Sequence, residues 1–320
     1  GFIVPPVRVR DNIQLKPNEY QIKIKGDPIA RGELYPKSLL AIDPGVAEGP
    51  VEGVETTDPA FGLPARWIHS DQRERAELLG YNVVETVAVL ATHLTEVITA
   101  NAAELMGRQE TQHLIDEFKQ LHPAVVEELI PDVVPVGRLQ RVMQNLLMER
   151  VPVRDFRTIL ETLADYGDIK DVEILTEYAR TALRRSICNV LLKEAPEEGI
   201  SVLTVSGELE ELIKESVQST PAGLAVALSP ELATRIFRTL SSLIDLMIAN
   251  GQQPVVLAAP HIRLAFRKLT ASSFPTLYVV SYNEIAPEIE VSAVGVIRLE
   301  NDEDPEIHSA ERAVGATASA

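Results

Sequence analysis

Chemistry at neutral pH needs a nucleophile with a base, a metal cluster or a phosphate cradle, and the chain offers few groups spaced for any of these. Its six histidines are His69, His93, His113, His122, His261 and His308. None stands three or four residues from another, so the spacing that lets one helix face hold a metal is missing. A single histidine such as His93 within a helical pattern reads as a hydrogen-bonded structural residue. The acid pairs Glu127-Glu128 and Glu210-Glu211 are adjacent in sequence. On a helix such neighbours point about 100° apart and cannot converge on one substrate, so they read as solvated faces. The lone Cys188 has no base beside it and reads as a small core residue. Gly45 and Gly49 are not followed by a Lys-Ser/Thr pair, and neither a Walker-type loop nor a G-x-S-x-G elbow occurs. No enzyme, no metal and no cofactor is therefore expected.

One segment reads differently. Residues 57–68 (TDPAFGLPARWI) place Phe61 and Trp67, the only tryptophan, in a loop bracketed by Pro59 and Pro64. Two prolines stiffen the chain, and a stiff loop carrying an aromatic and an acid suits a preorganised protein-docking site. Phe61 is either that contact or a staple that holds the loop down; Trp67 reads as the staple.

The elements that must position this loop follow from periodicity. Residues 20–25 (YQIKIK) alternate as a half-buried strand, and residues 39–42 (LLAI) form a short strand ending at Asp43-Pro44-Gly45. A polar helix over 71–79 is closed by Gly80, and residues 81–84 are a strand. Residues 92–105 carry apolar residues on one helical face, with further helices expected over 110–121, 124–130, 137–149, 155–166 and 172–186. Beyond these, strands at 201–205, 255–258, 277–280 and 294–299 alternate with helices at 208–214, 229–250 and 260–271, the pattern of a partly parallel α/β sheet. Ser229 is placed to cap the long helix, with Pro230 in its first turn.

Composition narrows the partners. The net charge of −17 opposes nucleic-acid binding and adsorption to anionic lipid. One cysteine permits no internal disulfide, no run of about 18 apolar residues occurs, and no signal peptide is expected in these residues. A start at Gly1 followed by Phe-Ile-Val is the expectation for a piece of a longer protein.

Several stretches resemble the cytoplasmic part of the FlhA family of flagellar export gates, whose relatives serve in type III secretion injectisomes. They are residues 7–15 (VRVRDNIQL), 58–68 (DPAFGLPARWI), 80–85 (GYNVVE), 91–97 (ATHLTEV), 107–114 (GRQETQHL), 127–131 (EELIP), 142–149 (VMQNLLME) and 151–166 (VPVRDFRTILETLADY). Similarity is high to about Arg185. Only the pattern of elements is shared to about Leu299, and nothing is recognised beyond Asn301. The stretches at 58–68 and 91–97 match the flagellar branch.

The resemblance implies a multidomain α/β and α+β fold. Its first domain is discontinuous, over 1–36 and 86–105, with a small α/β subdomain inserted at 37–85. A helical domain over 106–185 and a C-terminal α/β domain over 186–301 follow, and 302–320 is expected to be a disordered tail. It implies a membrane-spanning region in the whole protein, a ring of nine subunits, and contacts with other export-apparatus proteins. It also implies a dimple that binds flagellar export chaperones with their cargo. Carried over by motif, Asp58, Phe61 and Thr92 belong to that dimple, with Ile42, Pro44, Val84 and Val89 as its wall. A virulence injectisome gate and a purely structural ring component remain the alternatives.

Overall fold

The computed structural model describes residues 6–192, 199–220 and 223–299. The chain forms two compact units, Gly1–Arg154 and Asp155–Ala320. The expected strand at 294–299 lies within the described residues, whereas the acidic tail expected at 302–320 lies outside them.

The first unit begins with the hairpin β1 (Glu19–Ile24) and β2 (Asp27–Glu33). Lys25 and Gly26 both take positive φ (52° and 101°), the conformation that lets a two-residue connection follow the twist of its strands. Four strands come next: β3 (Ser38–Ile42), β4 (Val54–Thr57), β5 (Pro64–His69) and β6 (Asn82–Glu85). They make an antiparallel sheet in the order β4-β5-β3-β6, with helix α1 (Arg73–Leu78) between β5 and β6.

Alternation sorts this sheet into two apolar faces. Leu39, Ala41, Ile68 and Val83 pack with Ala76 of α1. Leu40, Ile42, Ala65, Trp67 and Val84 pack on the other face with Val89 of helix α2 (Thr86–Ala100). The Thr86 hydroxyl donates to the Tyr35 and Ser38 carbonyls at 3.1 and 2.8 Å, strapping the start of α2 to the chain entering β3.

Two expectations are corrected here. Residues 64–69, expected in a loop, are strand β5: Pro64 takes its first position, where a missing N–H is tolerated, and Ala65 and Trp67 alternate inward. The helix expected from 92 starts at Thr86 and breaks at Asn101 before the short α3 (Ala102–Leu105). Helices α4 (Arg108–Leu121), α5 (Pro123–Leu129) and α6 (Val136–Met148) complete the unit.

The second unit opens with α7 (Phe156–Asp165), α8 (Val172–Ala182) and α9 (Arg184–Leu191). The single helix expected over 172–186 is thus two, broken at Leu183. Strands β7 (Ile200–Val205), β10 (Val255–Ala258), β11 (Tyr278–Ser281) and β12 (Val291–Ile297) form a sheet ordered β11-β10-β7-β12. All its pairings are parallel, not partly so. The core strands are accordingly near-continuous apolar runs.

Between β7 and β10 come α10 (Gly207–Glu215), the hairpin β8 (Val217–Thr220) with β9 (Gly223–Val226), and α11 (Pro230–Ala249). Helix α12 (Pro260–Thr270) joins β10 to β11. Glu210, expected on a solvated face, accepts from the Ala259 N–H at 3.1 Å and so serves the start of α12. Cys188 is buried: its thiol donates to the Glu284 carbonyl at 3.4 Å, and burial pushes its pKa up, which suits an inert core residue.

Candidate protein-docking site

The connection from β4 to β5 is a tight turn over 58–63 whose geometry comes from one carboxylate. Asp58 is 3% exposed. Its Oδ2 accepts from the Phe61 N–H at 2.8 Å, and its backbone carbonyl accepts from the Gly62 N–H at 2.9 Å. Its own N–H donates to the Leu63 carbonyl at 2.8 Å. This is the aspartate-stabilised turn in which a side chain substitutes for backbone bonding. Gly62 sits at φ +72°, where a Cβ is disfavoured. The consequence is at the tip: Phe61 stands 62% exposed, while Trp67, in the following strand, is 4% exposed. The two aromatics of one segment have opposite fates.

The chain leaving β3 lies beside this turn, because the Asp43 N–H donates to the Pro64 carbonyl at 2.9 Å. Asp43 Oδ1 in turn accepts from the Gly45 N–H at 2.7 Å, which shapes the bend holding the exposed Pro44. Ile42 pairs with Ala65 and with Asn82 across the sheet. Ile42, Val84 and Val89 meet in the apolar cluster on Trp67, with Val89 buried and the other two half-buried. Thr92 is exposed on α2, three residues after Val89.

The expected site residues therefore divide by role. Phe61, Pro44 and Thr92 are open to solvent; Ile42, Val84 and Val89 are packed together; and Asp58 is a buried organiser of the turn.

Tyr20 and His93 carry no such expectation, yet the charge of Asp58 acts on both. The Tyr20 hydroxyl lies 2.5 Å from His93 Nδ1, with the rings edge to face. Burial, reinforced by the negative charge of Asp58, pushes the Tyr20 pKa up to about 12. Burial also lowers that of His93, with Asp58 pulling the other way. A histidine bonded to a distant residue fits the expectation for His93, but nothing in the local sequence names Tyr20, 73 positions away, as its partner. Among the described residues no group of three His, Cys, Asp or Glu could hold a metal ion, and no helix is long and apolar enough to cross a membrane.

The model of the FHIPEP family matches residues 1–290. The chain belongs to the FHIPEP family. It is 42% identical over 298 residues to the flagellar biosynthesis protein FlhA of Bacillus subtilis, covering 93% of this chain and 44% of that protein. The chain thus spans less than half the length of this relative.

Among solved structures, Chlamydia pneumoniae CdsV superposes with a TM-score of 0.78 at 29% identity, over 92% of this chain and 85% of that one. The same protein is known in a complex with CdsO. The nonameric SctV-C of EPEC superposes with a TM-score of 0.73 at 27% identity, over 92% and 88%. Membership in the FHIPEP family bears out the resemblance read from residues 7–166, and with it the multidomain mixed fold.

Proposed function

We propose that this chain is a cytoplasmic docking platform of the flagellar type III protein-export gate. In this reading it receives export chaperones with bound cargo at the dimple, orders their delivery to the membrane channel, and catalyses no reaction. The whole protein sits in the bacterial inner membrane with this part on its cytoplasmic face. It assembles as a ring of nine and meets other export-apparatus proteins. The family of the chain and the nonameric state of one structural relative support this setting.

One observation supports the site: Phe61 is 62% exposed on a turn that the buried Asp58 carboxylate holds in shape. An exposed aromatic normally gains by covering itself, and holding it open in advance lowers the ordering cost of binding. Phe61 acts as the apolar anchor, and Ile42, Pro44, Val84 and Val89 as the wall. Thr92 supplies an oriented hydroxyl, and Asp58 acts through the turn. Truncating a central anchor typically costs ~2 kcal/mol or more, roughly a 30-fold loss in affinity.

Calorimetric titration of this chain with a flagellar chaperone–cargo complex tests the reading. Binding to the unmodified chain that is lost in Phe61→Ala and Asp58→Ala is the expected outcome. Absence of binding to the unmodified, folded chain would remove it. The nonameric relative favours a second reading, a ring component whose dimple takes no ligand. A Phe61→Ala variant that sediments like the parent but stops cargo export would exclude that second reading.

A further inference from the structure

The residues of the docking site lie on two sides of a corner in the chain, and one hydroxyl holds that corner. Ile42, Pro44, Phe61 and Val84 belong to the four-stranded sheet and its connections, whereas Val89 and Thr92 belong to α2. The chain enters the sheet at Ser38 and leaves it at Glu85. These two crossings run side by side, since Leu39 pairs with Glu85 and Leu40 with Val84. They make a single line about which α2 can turn against the sheet. Strand β6 passes into α2 between Glu85 and Thr86 without a connecting loop, and no side chain caps the helix start.

The entry crossing is a tight turn over Tyr35, Pro36, Lys37 and Ser38. The Tyr35 carbonyl accepts from the Ser38 N–H at 3.1 Å, and Lys37, after the proline, takes φ +69°. This is the pattern of a type II turn, whose third position favours glycine or asparagine. A lysine there is strained and stays so only where its surroundings hold it. Two contacts do this. The Tyr35 ring lies 5.6 Å from that of Trp67, in the apolar cluster that also takes Val84 and Val89. The Thr86 hydroxyl shares its one proton between the Ser38 carbonyl at 2.8 Å and the Tyr35 carbonyl at 3.1 Å, so the first residue of α2 grips both ends of the turn.

We propose that Thr86 is a positioning residue: its hydroxyl, closed on the strained turn over 35–38, fixes the angle between α2 and the sheet, and with it the spacing of Thr92 from Phe61. This rests on the reading of the site as a docking site. Apolar contact between Val89 and Trp67 brings the two sides together but is non-directional; the hydrogen bond supplies the direction. With the corner loosened, the two halves of the site part, and binding must bear the cost of ordering them.

Spin labels at Leu78→Cys on α1 and Ala100→Cys on α2, both exposed positions, report the angle without any partner. The native Cys188 is buried. A narrow distance distribution is expected in the otherwise unmodified 320-residue chain and in Thr86→Ser, and a broad or displaced one in Thr86→Val. In calorimetry with a flagellar chaperone–cargo complex, Thr86→Val should bind about fivefold more weakly, the contribution of one hydrogen bond, and Thr86→Ser like the parent. Should Thr86→Val not fold, Pro36→Gly, at an exposed position of the turn, must broaden the same distance. An unchanged distance in the folded variant overturns the proposal, as does parent-like binding by Thr86→Val. Absence of binding to the parent removes the docking reading instead, and the label distances still decide what Thr86 positions.

Discussion

Two aromatics six positions apart show how little residue type alone decides. Trp67 faces the apolar cluster with Leu40, Ala65 and Val89, and its ring lies 5.6 Å from that of Tyr35. Phe61 sits where the chain reverses, and its ring is largely exposed. Removing each ring should therefore separate stability from function. Trp67→Ala opens a large cavity and is expected to cost about 3–5 kcal/mol. Phe61→Ala should stay within about 0.5 kcal/mol of the parent in urea unfolding, because an exposed side chain has little native packing to lose. A large loss in Phe61→Ala would show that the ring is a staple after all. The sequence left that alternative open for Phe61. Prolines signal stiffness but not which way a ring points, and the deciding group, the Asp58 carboxylate on the Phe61 N–H, acts through a turn whose shape the residue types do not announce.

At the scale of elements, legibility followed the strength of local chemistry. Helix α11 begins where its capping pair says it should: Ser229 takes an extended conformation and its Oγ accepts from the Leu232 N–H at 3.3 Å, with Pro230 next. Ser229→Ala should cost about 1 kcal/mol, read as a lower unfolding midpoint, whereas Ser229→Asp should keep most of it. The buried strands β7 (ISVLTV) and β10 (VVLA) were equally plain, as short segments dominated by Val and Leu. Strand β5 was not, because a proline at its head and an arginine at its third position mimic a loop. Only pairing with β3 and β4 on both sides reveals it as a central strand. The break at Leu183 was hidden for the opposite reason. No proline or glycine marks it, and the helical pattern runs on through Arg184 and Arg185. Tertiary packing, not propensity, decides both cases.

On the largest scale, charge organises the second unit in a way that hydrophobic periodicity cannot report. Helix α8 carries Glu173, Glu177 and Arg180 at four- and three-residue steps along one face, and each finds a partner in the α/β layer. Glu173 pairs with Lys268 and Glu177 with Arg263, both on α12. Arg180 grips Glu284 through two bonds, of 2.9 and 2.7 Å. Arg180, Arg263 and Glu284 are almost wholly buried, and the Val279 carbonyl of β11 accepts from both arginines at 3.2 Å. The boundary expected near residues 185 and 186 is thus spanned by buried, bidentate ion pairs.

Such pairs are costly to form and costlier to break singly, since the widowed charge stays buried. Glu284→Gln should lower the unfolding free energy of the second unit by about 3–5 kcal/mol. The double variant Arg180→Met/Glu284→Leu should lose less than that single change, because no buried charge of that pair is then unpaired. If the clamp joins helices and sheet into one cooperative body, amides of α8 and β11 will exchange with the same opening free energy, and Glu284→Gln will lower both together. Unequal losses would mean that the helical layer opens on its own, with the charged face acting as a hinge between the two layers.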